Sequence, residues 1–187
     1  MDGSAGALEE RIKRLEEQVA HLQKGGAPED RVSLVCFSGE WDRLFAAFTI
    51  ANGALALGQE VHIFFTFWAV SALRKEGATA PAGKSLIQQM LSMMLPGHVG
   101  TVPLSKMHFG GMGKAMLGML MKEKGVDDLG TLMKQAKEMG AHFHLCETSS
   151  GLFGLDCKEL VDSDTLNTCG VATFLSLALK SRIVLFI

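Results

Sequence analysis

The chain has 187 residues, 48% of them hydrophobic and 20% charged, with a formal net charge of -2. That length suits one ordinary α/β core with an appendage and excludes two generous domains. The near-neutral balance excludes the basic field that nonspecific binding to a phosphate backbone requires, so nucleic acid is not expected as a partner. A mean hydropathy of +0.22 is apolar enough to leave surface for another subunit or a membrane face to cover. The run Ser85 to Ser105 lacks Asp, Glu, Lys and Arg except at its edges, but Gln88, Gln89, Pro96, Gly97, His98 and Pro103 interrupt it, so no membrane span is expected. The N-terminus carries no continuous apolar stretch of signal-peptide type. Cys36, Cys146, Cys157 and Cys169 stand without framework spacing, which fits free thiols in a reducing cytoplasm.

In chain order, Leu8, Ile12, Leu15, Val19 and Leu22 alternate spacings of four and three among charged residues, a short heptad seam over 8–23. Such a helix pairs with copies of itself, lies on the main domain, or is a solvated tail. Gly25-Gly26-Ala27-Pro28 breaks the pattern, dividing the chain into an amphipathic helix and linker (1–26) and an α/β domain (27–187). Arg31 to Phe37 reads as a buried parallel strand running into Ser38-Gly39, a loop able to cap the next helix and to take an anion. That helix carries Trp41, Leu44, Phe45, Phe48, Ala51 and Leu55 and stops at Gly58. Glu60 to Phe67 is a second strand, and Trp68 to Leu73 starts a helix.

From Ala78 to Gly125 the composition changes. Eight of the eleven methionines fall between Met90 and Met121 among glycines and prolines, the text of an insertion whose methionines are individually core filler and collectively a lid or an interface. Ser85 to Leu95 and Met112 to Lys122 each suit a helix. Gly110-Gly111-Met112-Gly113-Lys114 lacks phosphate-loop spacing and follows no strand. A helix with Leu129, Leu132, Met133, Ala136 and Met139 on one face then ends at Gly140, and Ala141 to Cys146 forms the third strand. Lys158 to Val161 is read as the fourth strand, Thr168 as the cap of a helix bearing Val171, Phe174, Leu175, Ala178 and Leu179, and Arg182 to Ile187 as the fifth strand.

Cys146 is the best-placed nucleophile. It ends a strand just before Glu147-Thr148-Ser149-Ser150 opens a helix, where backbone N–H groups favour a thiolate. Cys36 falls inside a strand and is assigned to the core. Cys157, beside Lys158, is a candidate second or resolving thiol, while Cys169 follows Thr168 with nothing else around it to support chemistry. His142 and His144 share strand parity with Cys146, and His144 is placed to tune the thiol. A metal set of His142, His144, Cys146 and His108 can be drawn, but closely spaced cysteine pairs are lacking and no metal is expected. Ser38 and Gly39 are further supporting candidates, at the carboxyl edge where open sheets gather ligands.

Phe64-Phe65-Thr66-Phe67-Trp68, Lys106-Met107-His108-Phe109-Gly110-Gly111-Met112-Gly113, Cys146 with Ser149 and Gly154, Glu159-Leu160-Val161-Asp162, and Gly170-Val171-Ala172-Thr173-Phe174-Leu175 before Leu185-Phe186-Ile187 occur in this order. In this order and spacing they resemble the DsrE/DsrF-like proteins of the DsrEFH superfamily, in the longer subgroup labelled peroxiredoxin-like, over Arg31 to Ile187. The resemblance implies a three-layer α/β fold of flavodoxin-like or Rossmann-like type; the chain is expected to have a mostly parallel five-stranded sheet with an N-terminal amphipathic helix and a Met-rich helical insertion. It also implies trimeric or hexameric assembly and a sulfur relay through a cysteine persulfide, the family's cysteine falling on Cys146. The chain departs from the pattern where no methionine follows Ser149, and where Cys157 replaces a polar residue.

The function expected is a sulfur carrier or sulfurtransferase holding sulfane sulfur on Cys146 without a cofactor. Its partners would be donor and acceptor proteins, or small persulfides and thiosulfonates. The alternatives are a thiol redox switch using Cys146 and Cys157, and a non-enzymatic oligomeric scaffold in which the heptad helix and Met-rich segment mediate assembly or membrane contact.

Overall fold

The computed structural model describes residues 10–17, 19–20, 29–77, 85–107, 109–161 and 166–187, with the backbone alone at Cys157. Helix α1 covers 10–17 and 19–20; Ile12, Leu15 and Val19 are each about half exposed, so these seam positions are not buried among the described residues. Leu8, Leu22, the linker at 25–28 and His108 lie outside the described residues.

The strands are β1 (Glu29–Cys36), β2 (Glu60–Phe65), β3 (His142–Cys146), β4 (Asn167–Cys169) and β5 (Ser181–Phe186). They form one all-parallel sheet in the order β4-β3-β2-β1-β5. Between them run α2 (Trp41–Ala56), α3 (Leu86–Met94), α4 (Met112–Lys124), α5 (Leu129–Glu138), α6 (Glu147–Phe153) and α7 (Val171–Ala178). The layered parallel architecture is the one expected. Steps from β1 to β4 proceed in one direction and the last step crosses back to β5, so right-handed connections place α2 and α5 on one face and α7 on the other.

Period-two alternation then sorts the side chains. Val32, Leu34, Cys36, Val61, Ile63, Phe65, Phe143 and Leu145 face α2 and α5 and form the main core with Leu44, Phe48, Ala51, Leu129 and Ala136. The opposite face receives His62, Phe64, His142, His144, Cys146 and Cys169. Its small apolar cluster is Phe64, Cys146 and Cys169 under Phe174 and Ala178 of α7.

Four assignments differ from the sequence reading. The fourth strand is Asn167–Cys169, whereas Cys157–Glu159 is a 3-10 turn and Leu160 makes a single antiparallel bridge to Arg74. Leu160 is fully buried, so its apolar signal came from packing rather than sheet pairing. Thr168 therefore lies within β4, and Gly170 is the N-cap of α7. Phe67–Leu73 is a 3-10 helix, entered through extended Thr66 and a left-handed Phe67 with φ of 49°. Ser38 does not cap α2; Glu40 holds that position, and the Ser38 hydroxyl instead donates to the Glu40 carboxylate at 2.8 Å.

In the insertion, Met90, Met93, Met94, Met107, Met112, Met116 and Met119 are each more than half exposed, so core filling does not describe them. The segment is tied down by polar contacts. Arg74, itself buried, donates to the carbonyls of Ser92 and Pro96, and Lys114 donates to those of Gly100 and Val102 at 2.6 and 2.7 Å. A Cβ on Gly113 would lie 1.8 Å from the Met107 carbonyl oxygen, so only glycine fits there. No helix among the described residues is long and apolar enough to cross a membrane.

Candidate functional site

Parallel register brings the carboxyl ends of β2, β3 and β4 side by side. Phe65 pairs with Leu145 and Cys146 with Cys169, and Thr66 follows Phe65 directly beside Cys146. Cys146 is the N-cap of α6 and only 7% exposed. Burial pushes its thiol up, but hydrogen bonds from the Ser149 and Thr66 hydroxyls and from the N–H groups of Ser149 and Thr148 outweigh this and leave the pKa below the ordinary thiol value.

The donors are themselves held. Ser149 is buried, and its Oγ lies 3.0 Å from Thr66 Oγ1 while accepting the Phe67 N–H at 2.9 Å. Either hydroxyl can donate in that pair, so one of the two hydroxyl protons is left for the sulfur. The left-handed turn at Phe67 aims its N–H at this hydroxyl, a conformation that bulky residues adopt only when their surroundings enforce it. Stacking of Phe67 on Phe37, with edge contacts to Trp68 and Phe153, supplies that enforcement.

His144 is 3% exposed, and its sulfur contact is to Cys169, from Nδ1 to Sγ at 3.9 Å. On its other edge, Nε2 lies 2.8 Å from His62 Nδ1. Burial, followed by the charges of His62 and His142, pushes His144 down to about 4 and keeps it neutral near pH 7. Cys169 sits in the same buried cluster as Cys146, its thiol pushed up by burial and then by the negative charges of Cys146 and Glu147. Cys36 lies in the main core, its thiol pushed up to about 12 by burial.

Ser38 and Gly39 border a different space. A cavity of about 470 Å³ at the end of β1 is lined by Phe37, Ser38, Gly39, Arg43, Trp68 and Met94 among others, and Cys146 is not part of its lining. A Cβ on Gly39 would lie 2.5 Å from the Trp68 carbonyl oxygen, so this loop packs directly on the 3-10 helix. The backbone of Cys157 lies in the 3-10 turn Cys157–Glu159.

Sequence reasoning missed Thr66 and underrated Cys169. Both are partners of Cys146 through register alone, and the signal available was that parallel strands ending together place their following residues together.

Over residues 28–186 the chain matches the model of the DsrE/DsrF/DrsH-like family. It belongs to that family. Its relatives include the Bacillus subtilis (strain 168) protein YrkE, named as uncharacterized, 41% identical over 84% of this chain and 96% of the relative. A second is the sulfur carrier protein DsrE2 of Allochromatium vinosum, 28% identical over 85% of this chain and 99% of the relative. The family thus contains a relative named for carrying sulfur.

Proposed function

We propose that this protein relays sulfane sulfur as a persulfide on Cys146. The observation carrying this reading is the placement of a nearly buried thiol at the N-cap of α6 and the carboxyl edge of the sheet, beside Thr66 and with Cys169 in register; its pKa lies below the ordinary thiol value. The Cys146 thiolate attacks the terminal sulfur of R–S–SH, forming Cys146–S–SH and releasing R–S⁻. An acceptor thiolate then attacks the same terminal sulfur, leaving as R′–S–SH and restoring the Cys146 thiolate. No electrons are gained or lost, and a thiosulfonate donor would enter by the same attack on its sulfane sulfur. The named activity of the Allochromatium vinosum relative supports this reading. Incubation with a sulfane-sulfur donor followed by intact mass measurement should add one sulfur atom, absent in Cys146→Ser; an unmodified wild type would overturn it.

A second reading, a thiol redox pair, has its own observation. Cys146 and Cys169 are register partners on the same face of adjacent parallel strands, which lie about 4.8 Å apart, within the Cα range of a disulfide. Peroxide treatment followed by mapping of alkylated peptides separates a Cys146–Cys169 bridge from the Cys146–Cys157 bridge suggested by sequence. Both thiols remaining free would remove this reading.

The same proposal places the protein in the cytoplasm, where free thiols persist, as a homo-oligomer of the 27–187 domain. Val171, Leu175, Leu179, Val184 and Phe186 are each at least half exposed along α7 and the β5 edge and offer apolar area for a second copy.

A further inference from the structure

At the opposite end of the strands from Cys146, the same face carries a second group of chemical side chains. Glu60 opens β2, His62 follows on the same side, and His142 opens β3 directly beside His62 in register. We infer that Glu60, His62 and His142 form a binding site for a divalent transition-metal ion. One ligand atom from each lies within 4.8 Å of the others. Two imidazole nitrogens and one carboxylate oxygen are the donor set that suits zinc, cobalt or nickel.

The geometry supports this in several independent ways. His62 Nε2 and His142 Nε2 stand 2.8 and 3.8 Å from the same oxygen, Glu60 Oε1. Metal–ligand bonds of about 2.0–2.1 Å in a tetrahedron require separations of about 3.3–3.4 Å, so the two edges to the carboxylate need to change by only about half an ångström. The two imidazoles stack at 4.7 Å with 19° between their planes. In that stack the ring planes run nearly parallel, so the exposed His142 ring turns out of it to bring its in-plane lone pair onto the same ion as His62.

The supporting contacts are also in place. Glu60 Oε2 is taken by Arg31, from Nε at 2.9 Å and Nη2 at 2.7 Å, which fixes the carboxylate and leaves Oε1 for an ion. Metal on His62 Nε2 requires the tautomer protonated at Nδ1, and that nitrogen has an acceptor 2.8 Å away in His144 Nε2. In the metal-free state the Nε2 proton of His62 is directed at Glu60 Oε1 instead. His62 is buried, whereas His142 and Glu60 are open on one side, so water or a small ligand has access to the fourth position. The site is built from strand register, which is why no cysteine or histidine spacing announces it.

The inference is independent of whether Cys146 carries sulfur. It is tested with the full chain, reduced and stripped with chelator, by calorimetric titration with zinc and by cobalt substitution. The expected result is one zinc per chain, binding that survives in Cys146→Ser/Cys169→Ser, and a cobalt spectrum without thiolate charge transfer. His142→Ala, at an exposed position, should weaken zinc at least about tenfold, and Glu60→Gln should do the same. No zinc binding by the wild type, unchanged affinity in His142→Ala, or binding that disappears with the cysteines would each overturn it.

Discussion

Cys36 and Cys146 are the same residue in nearly the same local setting, each ending a buried parallel strand and each almost inaccessible, at 1% and 7% exposure. They face opposite sides of the sheet and differ in their chemistry. Cys36 points into the core between the sheet and α2, where burial has nothing to oppose it and the thiol rises to about 12. Cys146 points to the side covered by α7, where hydroxyl and amide donors overcome burial and lower it. Depth in the fold therefore does not set the reactivity of these thiols; the hydrogen-bond donors within reach of the sulfur do.

The sharpest way to break this comparison is to exchange the two cysteines for serine separately. Cys146→Ser should lose sulfur loading completely, and Cys36→Ser should retain it, as read by intact mass after exposure to a persulfide donor. Loading that followed Cys36 would remove the distinction between the faces. A second large effect concerns stability. Phe48 of α2 is fully buried and packs with tilted rings against Phe65 and Phe143, so Phe48→Ala should cost about 3–5 kcal/mol in urea unfolding. By contrast, Leu57 at the C-cap of α2 is 81% exposed, and Leu57→Ser should stay within about 0.5 kcal/mol.

The closed face was legible because its signals are local. Apolar runs in β1, β2 and β3, and helical spacing in α2 and α5, state their burial in neighbouring residues, and the strand parity of His142, His144 and Cys146 follows from alternation. The other side depends on pairing across long stretches of chain. β4 is three residues, Asn167–Thr168–Cys169, with only its cysteine buried; nothing in that text reads as strand until β3 is beside it. The fully buried Leu160 drew the assignment instead, because burial and sheet membership look alike in a short apolar run. Thr66 carried no signal of its own either. Its role beside Cys146 exists only through the register of β2 on β3 and the turn at Phe67.

The finest test removes the donors one at a time and leaves the sulfur. Ser149→Ala takes away a hydroxyl that donates to Cys146. A hydrogen bond to a charged group is worth about 1.5–3 kcal/mol, so alkylation of Cys146 near neutral pH should slow by about tenfold or more. The sign follows from which form is stabilised. The donors bind the thiolate, so losing one raises the thiol pKa and moves the alkylation profile to higher pH. Rates in variant and wild type should differ most below the wild-type pKa and converge once both are ionised. Thr66→Val, which keeps the shape and removes the second hydroxyl, should move the profile in the same direction by less, because the Ser149 hydroxyl lowers the thiol more than Thr66 does. Cys169, whose thiol is pushed up, should alkylate only at higher pH than Cys146 in the same protein. A profile that stayed in place in Ser149→Ala would mean that the hydroxyls are packing rather than tuning the thiol, and the difference between Cys36 and Cys146 would then rest on the backbone N–H groups of Thr148 and Ser149 alone.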